Sequence, residues 1–167
     1  MSRSLATFKQ GPIYLDTMIL YTFVRAETAV RPIIRPFFNA IEQGKIRAYT
    51  AVLTFDELAY RLTLATIRDK YNGSPLDRLR NEEQKMLSEV YPIIMPTLQS
   101  LRQFPNLQIV DIVAADLPTM YSLMEAHHLK PRDALHVAAM FKVNCQSIAS
   151  NDAHFDQVSS LSRYEIR

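Results

Sequence analysis

Four acidic residues stand where the chain changes direction. Asp16 closes the short apolar run Ile13-Tyr14-Leu15, and Asp152 closes Ile148-Ala149-Ser150-Asn151. Glu57 ends the stretch Thr54-Phe55-Asp56-Glu57. Asp133 follows Lys130-Pro131-Arg132, just ahead of an apolar run from Ala134 to Phe141. Carboxylates brought close together repel, and left alone some of them take up protons. A divalent cation removes that conflict, and an all-oxygen donor set suits Mg²⁺ or Mn²⁺. Magnesium keeps several waters and binds through one or two carboxylates plus a substrate phosphate. The natural chemistry is hydrolysis of a phosphoester, with an activated water and neutralised transition-state charge.

Taken singly, each acid has a plainer reading. Asp16 could cap the helix behind it, and Glu57 could answer Thr54 in a capping box. Asp133 could be a first-turn acid favoured by the helix dipole, and Asp152 with Asn151 could form a turn. The joint pattern is what points to a site. His136, three residues after Asp133, shares its helix face. It reads as a packing residue that satisfies itself locally, with contact to the site as the alternative. His154 reads as a turn residue within reach of a phosphate, and His127-His128 as a helix end.

The elements that must position these acids alternate. Residues 12–15 form a short buried strand, 17–25 a helix, and 32–43 a second helix with Gly44 behind it. Residues 46–52 form the second strand, and a helix capped by Thr54 runs to about 71. Asn72-Gly73-Ser74-Pro75 is a loop. The extended segment 72–104 that this loop opens is helical from about Leu76 to Phe104, interrupted near Pro92 and Pro96. Residues 107–113 form strand three, and Asp116 caps a helix that ends near His128. The helix over 132–143 leads to a strand over 146–150, and residues 164–166 form a short fifth strand. Residues 1–10 read as a loose leader. Alternating strands and helices predict an α/β fold, a three-layer α/β/α sandwich around a mainly parallel sheet of about five strands. The whole of 1–167 is read as one domain.

In such a sheet, ligands bind beyond the carboxyl ends of the strands. Asp16 and Asp152 end strands there, and Glu57 begins a helix on the same edge. Asp133 follows a helix–helix connection, so its place on that edge follows less directly.

Composition narrows the class. The 167 residues are 48% hydrophobic and 22% charged, with net charge +2, as in an ordered globular protein. That mild basicity permits a nucleic-acid partner without announcing one. The single cysteine, Cys145, excludes an intrachain disulfide framework and a Cys-rich zinc site, and reads as a semi-buried thiol. No signal peptide or membrane span is evident, so a cytoplasmic protein is expected. A haloacid-dehalogenase-type phosphatase would need a second Asp at position 18, which is Met18. No Gly-rich phosphate loop is present.

Four segments, in order, resemble the motifs of the PIN-domain family of ribonucleases, which includes the VapC toxins. They are Tyr14-Leu15-Asp16-Thr17, Thr54-Phe55-Asp56-Glu57-Leu58, Arg132-Asp133-Ala134-Leu135-His136-Val137-Ala138-Ala139, and Ser150-Asn151-Asp152-Ala153-His154-Phe155-Asp156. The resemblance implies metal-dependent endonucleolytic cleavage of RNA with Mg²⁺ or Mn²⁺. Asp16, Glu57, Asp133 and Asp152 would hold the metal or its waters, with Asp156 as a further acid and Thr17 and Ser150 in support. In the toxin branch it also implies a small antitoxin partner and a homodimer. The family often has Asn where this chain has Met18, which keeps open a catalytically weak domain that binds RNA or protein. The segment between Tyr71 and Phe104 is longer than in compact toxins.

Overall fold

The computed structural model describes residues 2–25 and 29–167. Six strands, β1 (Arg3–Ser4), β2 (Gly11–Leu15), β3 (Ile46–Ala51), β4 (Leu107–Val110), β5 (Ser147–Ala149) and β6 (Ser162–Glu165), form one sheet in the order β1-β6-β5-β2-β3-β4. Every pairing is parallel. Among the described residues, seven α-helices accompany them: α1 (Thr17–Arg25), α2 (Arg31–Glu42), α3 (Val52–Lys70), α4 (Pro75–Asn81), α5 (Glu83–Arg102), α6 (Leu117–His127) and α7 (Pro131–Lys142). Among the described residues, no helix is long and apolar enough to cross a membrane.

Strand alternation builds the layers. Ile13 and Leu15 of β2 face a core shared with α1, α2, α3 and α5. Tyr14, between them, faces a second core with α6 and α7. The α/β/α sandwich is therefore as expected, with one strand more than the five predicted. Phe37 and Phe38 are buried in the first core, and Phe23 stacks on Phe38 with ring centroids 3.7 Å apart. These aromatics are interior packing.

Four local expectations need correction. Residues 3–4 belong to no loose leader. They pair with β6, Arg3 donates to the Tyr164 hydroxyl at 3.0 Å, and Leu5 behind them is fully buried. Second, α3 begins at Val52, two residues before Thr54. The Thr54 hydroxyl instead accepts the Ala51 N–H, at 3.4 Å, from inside the first turn. The β-branched Val52 looks like strand but opens the helix, so Glu57 is no capping-box partner.

The third correction concerns Asp116. Its carboxylate accepts the Val113 N–H at 2.8 Å and pairs with Lys142 at 2.9 Å, closing a 3₁₀ turn ahead of α6 rather than capping α6 itself. Finally, α5 runs unbroken through Pro92 and Pro96, and the helical break falls at Glu82. Both prolines lie on the exposed side of α5. Water can satisfy the carbonyls that their missing N–H groups leave free.

Candidate active site

The chain order passes from β2 outward to β3 and β4, then returns to β5 on the other flank of β2. The sheet's topological switch point thus lies between β2 and β5, where open parallel sheets place their ligands. Asp16 leaves β2 at this point. Its N–H donates to the Ala149 carbonyl at 3.1 Å, the last rung between the two strands. Ser150 and Asp152 leave β5 beside it. Glu57 arrives one and a half turns into α3, and Asp133 in the first turn of α7.

Asp16, Glu57, Asp133 and Asp152 line one cleft of about 430 Å³, with Thr17, Met18, Arg61, His136, Asn151, Ala153 and Phe155. All four sequence-predicted acids Asp16, Glu57, Asp133 and Asp152 meet there, as the switch point requires. Asp16 is nearly buried. Its Oδ1 accepts the Thr17 N–H at 2.6 Å, and its Oδ2 accepts the fully buried Ser150 hydroxyl, also at 2.6 Å. Ser150 Oγ in turn accepts the Asp152 N–H at 3.0 Å. Thr17 bridges onward, its hydroxyl donating to Glu57 Oε2 at 2.5 Å.

The four carboxylates fall into two electrostatic classes. Burial pushes Asp16 above the usual carboxylate range, against the hydrogen bond from Ser150. Burial, then the neighbouring Asp152 charge, also raises Asp133. Burial opposes ionisation of Glu57 too. There, hydrogen bonds from His136 and Thr17 and the nearby Arg132 overcome it and hold the group at about 2. Asp152 is likewise lowered despite its desolvation, by the backbone and side chain of His154.

Asp133 Oδ2 is the one described buried side-chain oxygen or nitrogen without a hydrogen-bond partner. An unpartnered buried carboxylate oxygen is costly unless something cationic meets it. It lies in one group with Asp152 and His154, while Asp16, Glu57 and His136 form a second. Within each group one ligand atom per residue lies within 4.8 Å of the others. Hard oxygen donors, a raised pair of pKa values and an orphaned oxygen fit a divalent cation.

Asp156 is not part of this set. Both its oxygens accept the Arg163 guanidinium at 2.8 Å, and it does not line the cleft. Arg163 also holds Glu165 and the Ser150 carbonyl, so Asp156 serves an arginine clamp under β5 and β6.

Sequence reasoning missed a buried relay. Tyr14 OH lies 2.8 Å from His136 Nδ1, and His136 Nε2 lies 3.4 Å from Glu57 Oε2. Burial drives the Tyr14 pKa far up, so its hydroxyl keeps its proton. Glu57 is ionised, so Nε2 must carry hydrogen to face it. His136 is thus the reverse of a locally satisfied packing residue: it joins a strand to the site. Its spacing from Asp133 was the available signal, but its partner Tyr14 lies 122 positions away.

A doubly wound parallel sheet with an acidic cleft at its switch point defines the class. The model of the PIN domain matches residues 13–161, and the chain belongs to that family. The structure resembles VapBC2 from Rickettsia felis, bound to a DNA fragment from its promoter, with TM-score 0.52 and 15% identity, covering 94% of this chain and 100% of that one. It also resembles Mycobacterium tuberculosis VapC20, described as a sarcin–ricin-loop-cleaving toxin, with TM-score 0.54 and 13% identity over 89% and 94% of the two chains. A toxin–antitoxin complex from Klebsiella pneumoniae gives TM-score 0.53 and 15% identity over 92% and 99%. At these identities the likeness establishes the fold. No curated protein matches the sequence.

Proposed function

We propose that this chain is a divalent-metal-dependent endoribonuclease of the cytoplasm, the toxin of a toxin–antitoxin pair. The carrying observation is the orphaned Asp133 Oδ2, a buried carboxylate oxygen with no protein donor, set beside the Asp152 carboxylate in the acidic cleft. The family membership and the toxin neighbours support RNA as substrate and a small antitoxin as partner.

In this reading Asp16, Asp133 and Asp152 hold Mg²⁺ or Mn²⁺, and Glu57, whose oxygens already engage Thr17, His136 and Arg132, acts through a water. The bound cation supplies an acidified water and neutralises charge developing on the scissile phosphate. The chain's own residues do the rest. Ser150 and the Thr17 amide aim the Asp16 oxygens, and Thr17 ties that pair to Glu57. Arg132, largely exposed at the cleft edge, and Arg61 offer positive charge to the phosphates. Met18 in the cleft wall offers no polar contact to substrate, which is the one feature favouring a catalytically weak domain that binds RNA or protein.

A mixed RNA panel incubated with Mn²⁺ or Mg²⁺, with EDTA and Asp133→Asn as controls, tests the proposal. Metal-dependent cleavage lost in the variant supports it. Folded protein that neither binds Mn²⁺ nor cleaves any RNA overturns it in favour of the binding domain.

A further inference from the structure

Arg61 borders two cavities at once. One is the acidic cleft; the other is a neighbouring groove walled by Tyr21 of α1, by Leu64, Ala65 and Arg68 of α3, and by Leu76 at the start of α4. Among the described residues Arg61 forms no hydrogen bond or ion pair. Arg68 touches Asp69 only at 3.9 Å and is 63% exposed. No acidic residue lines the groove, although acids crowd the cleft beside it.

The helix geometry explains the layout. Glu57, Arg61 and Arg68 fall at four- and seven-residue intervals, so they share one face of α3. Arg61 and Arg68 stand about 10 Å apart along the axis. Leu64 and Ala65 lie between them as an apolar floor. Leu76 is half exposed, and Tyr21 lies opposite with its ring partly accessible. Cations over a backbone track, with apolar and aromatic surface between them, is the composition of a single-strand binding channel.

We propose that this groove binds the single-stranded RNA flanking the scissile phosphodiester, with Arg61 and Arg68 on successive stretches of backbone and Tyr21 and Leu76 against a base. The inference rests on the cleft being the site of RNA cleavage. An RNA strand whose phosphate sits at the acids must leave the cleft, and Arg61 marks the exit that carries no opposing negative charge.

Fluorescence anisotropy of a labelled single-stranded RNA of about 12 nucleotides tests it, in the Asp133→Asn protein so that no cleavage intervenes. Adding Arg68→Gln is expected to weaken binding roughly three- to tenfold at low salt and to flatten the log K against log salt slope by about 0.7. Tyr21→Leu is expected to weaken binding without changing that slope. Arg68→Gln alone is expected to leave Mn²⁺-dependent hydrolysis of bis-p-nitrophenyl phosphate unchanged, since so short a diester cannot reach the groove. Unchanged RNA affinity and slope in both groove variants overturns the groove assignment while leaving the cleft's role intact. Failure of the Asp133→Asn parent to bind any RNA overturns the RNA reading of the cleft itself.

Discussion

Ser150 Oγ and Asp16 Oδ2 lie 2.6 Å apart across 134 residues of sequence. The bond joins the ends of β5 and β2 and aims the first acid of the cluster. Ser150→Ala removes the main interaction that lowers the Asp16 pKa. The variant is expected to bind Mn²⁺ more weakly and to lose ~1–2 kcal/mol of stability, as for a buried acceptor left unpaired. Calorimetric titration and urea unfolding check the two parts.

Asp133 predicts an inverted pH dependence. Its folded pKa is raised, so the folded state binds more protons than the unfolded chain above the ordinary carboxylate range. Stability of the metal-free protein is therefore expected to fall as pH rises from that range through the raised folded value. Asp16, also raised, adds to the effect. Asp133→Asn is expected to flatten this slope and raise the metal-free melting temperature at neutral pH. Thermal melts in EDTA across pH 4 to 8 read it directly; a variant less stable than the parent throughout contradicts it.

Glu57 carries the opposite sign. Held at about 2, it stabilises the fold above the ordinary glutamate range, and that contribution is lost as pH falls toward 2. Glu57→Gln is expected to cost ~1–3 kcal/mol at neutral pH, to lower Mn²⁺ affinity and to slow cleavage. A small stability loss with unchanged Mn²⁺ affinity would confine Glu57 to a structural role.

Tyr14→Phe leaves His136 Nδ1 buried without its partner. The expected cost is ~1–3 kcal/mol, with slower cleavage because Glu57 loses its anchored neighbour. Denaturant unfolding and initial rates on one RNA substrate separate the two effects.

Asp156 and Arg163 provide the contrast. Asp156→Asn is expected to leave Mn²⁺ affinity within about twofold, because the residue lies outside the cleft. Arg163→Ala strands two carboxylates and the Ser150 carbonyl around a nearly buried position. Its expected cost is ~1–3 kcal/mol, from the lost Ser150 carbonyl contact and arginine packing more than from the carboxylates, which water reaches, read from the melting temperature.

The acids that end strands were legible because strand ends and helix starts leave local signals. Asp16, Asp152 and Asp133 each follow an apolar run or precede one, and parallel topology brings such ends to one edge. What stayed hidden depends on residues far apart in the chain. Tyr14 reads as one more apolar strand position until α7 is laid against β2. Asp156 has the spacing of a fifth ligand, and only the fold of β6 brings Arg163 to claim both its oxygens. The strand Arg3–Ser4 is two residues long and takes its pairing from the far end of the chain, so no local pattern announces it. Pro92 and Pro96 misled for a related reason: a proline's cost depends on whether water reaches the freed carbonyls, which exposure decides.

The divalent-metal site proposed for Asp16, Asp133 and Asp152 in the acidic cleft is open to direct measurement. Isothermal titration of the purified protein with Mn²⁺ at neutral pH, beside Asp133→Asn, tests it most directly. Saturable binding that releases protons and is lost in the variant is expected. Equal binding by both proteins, or none by the parent, contradicts it.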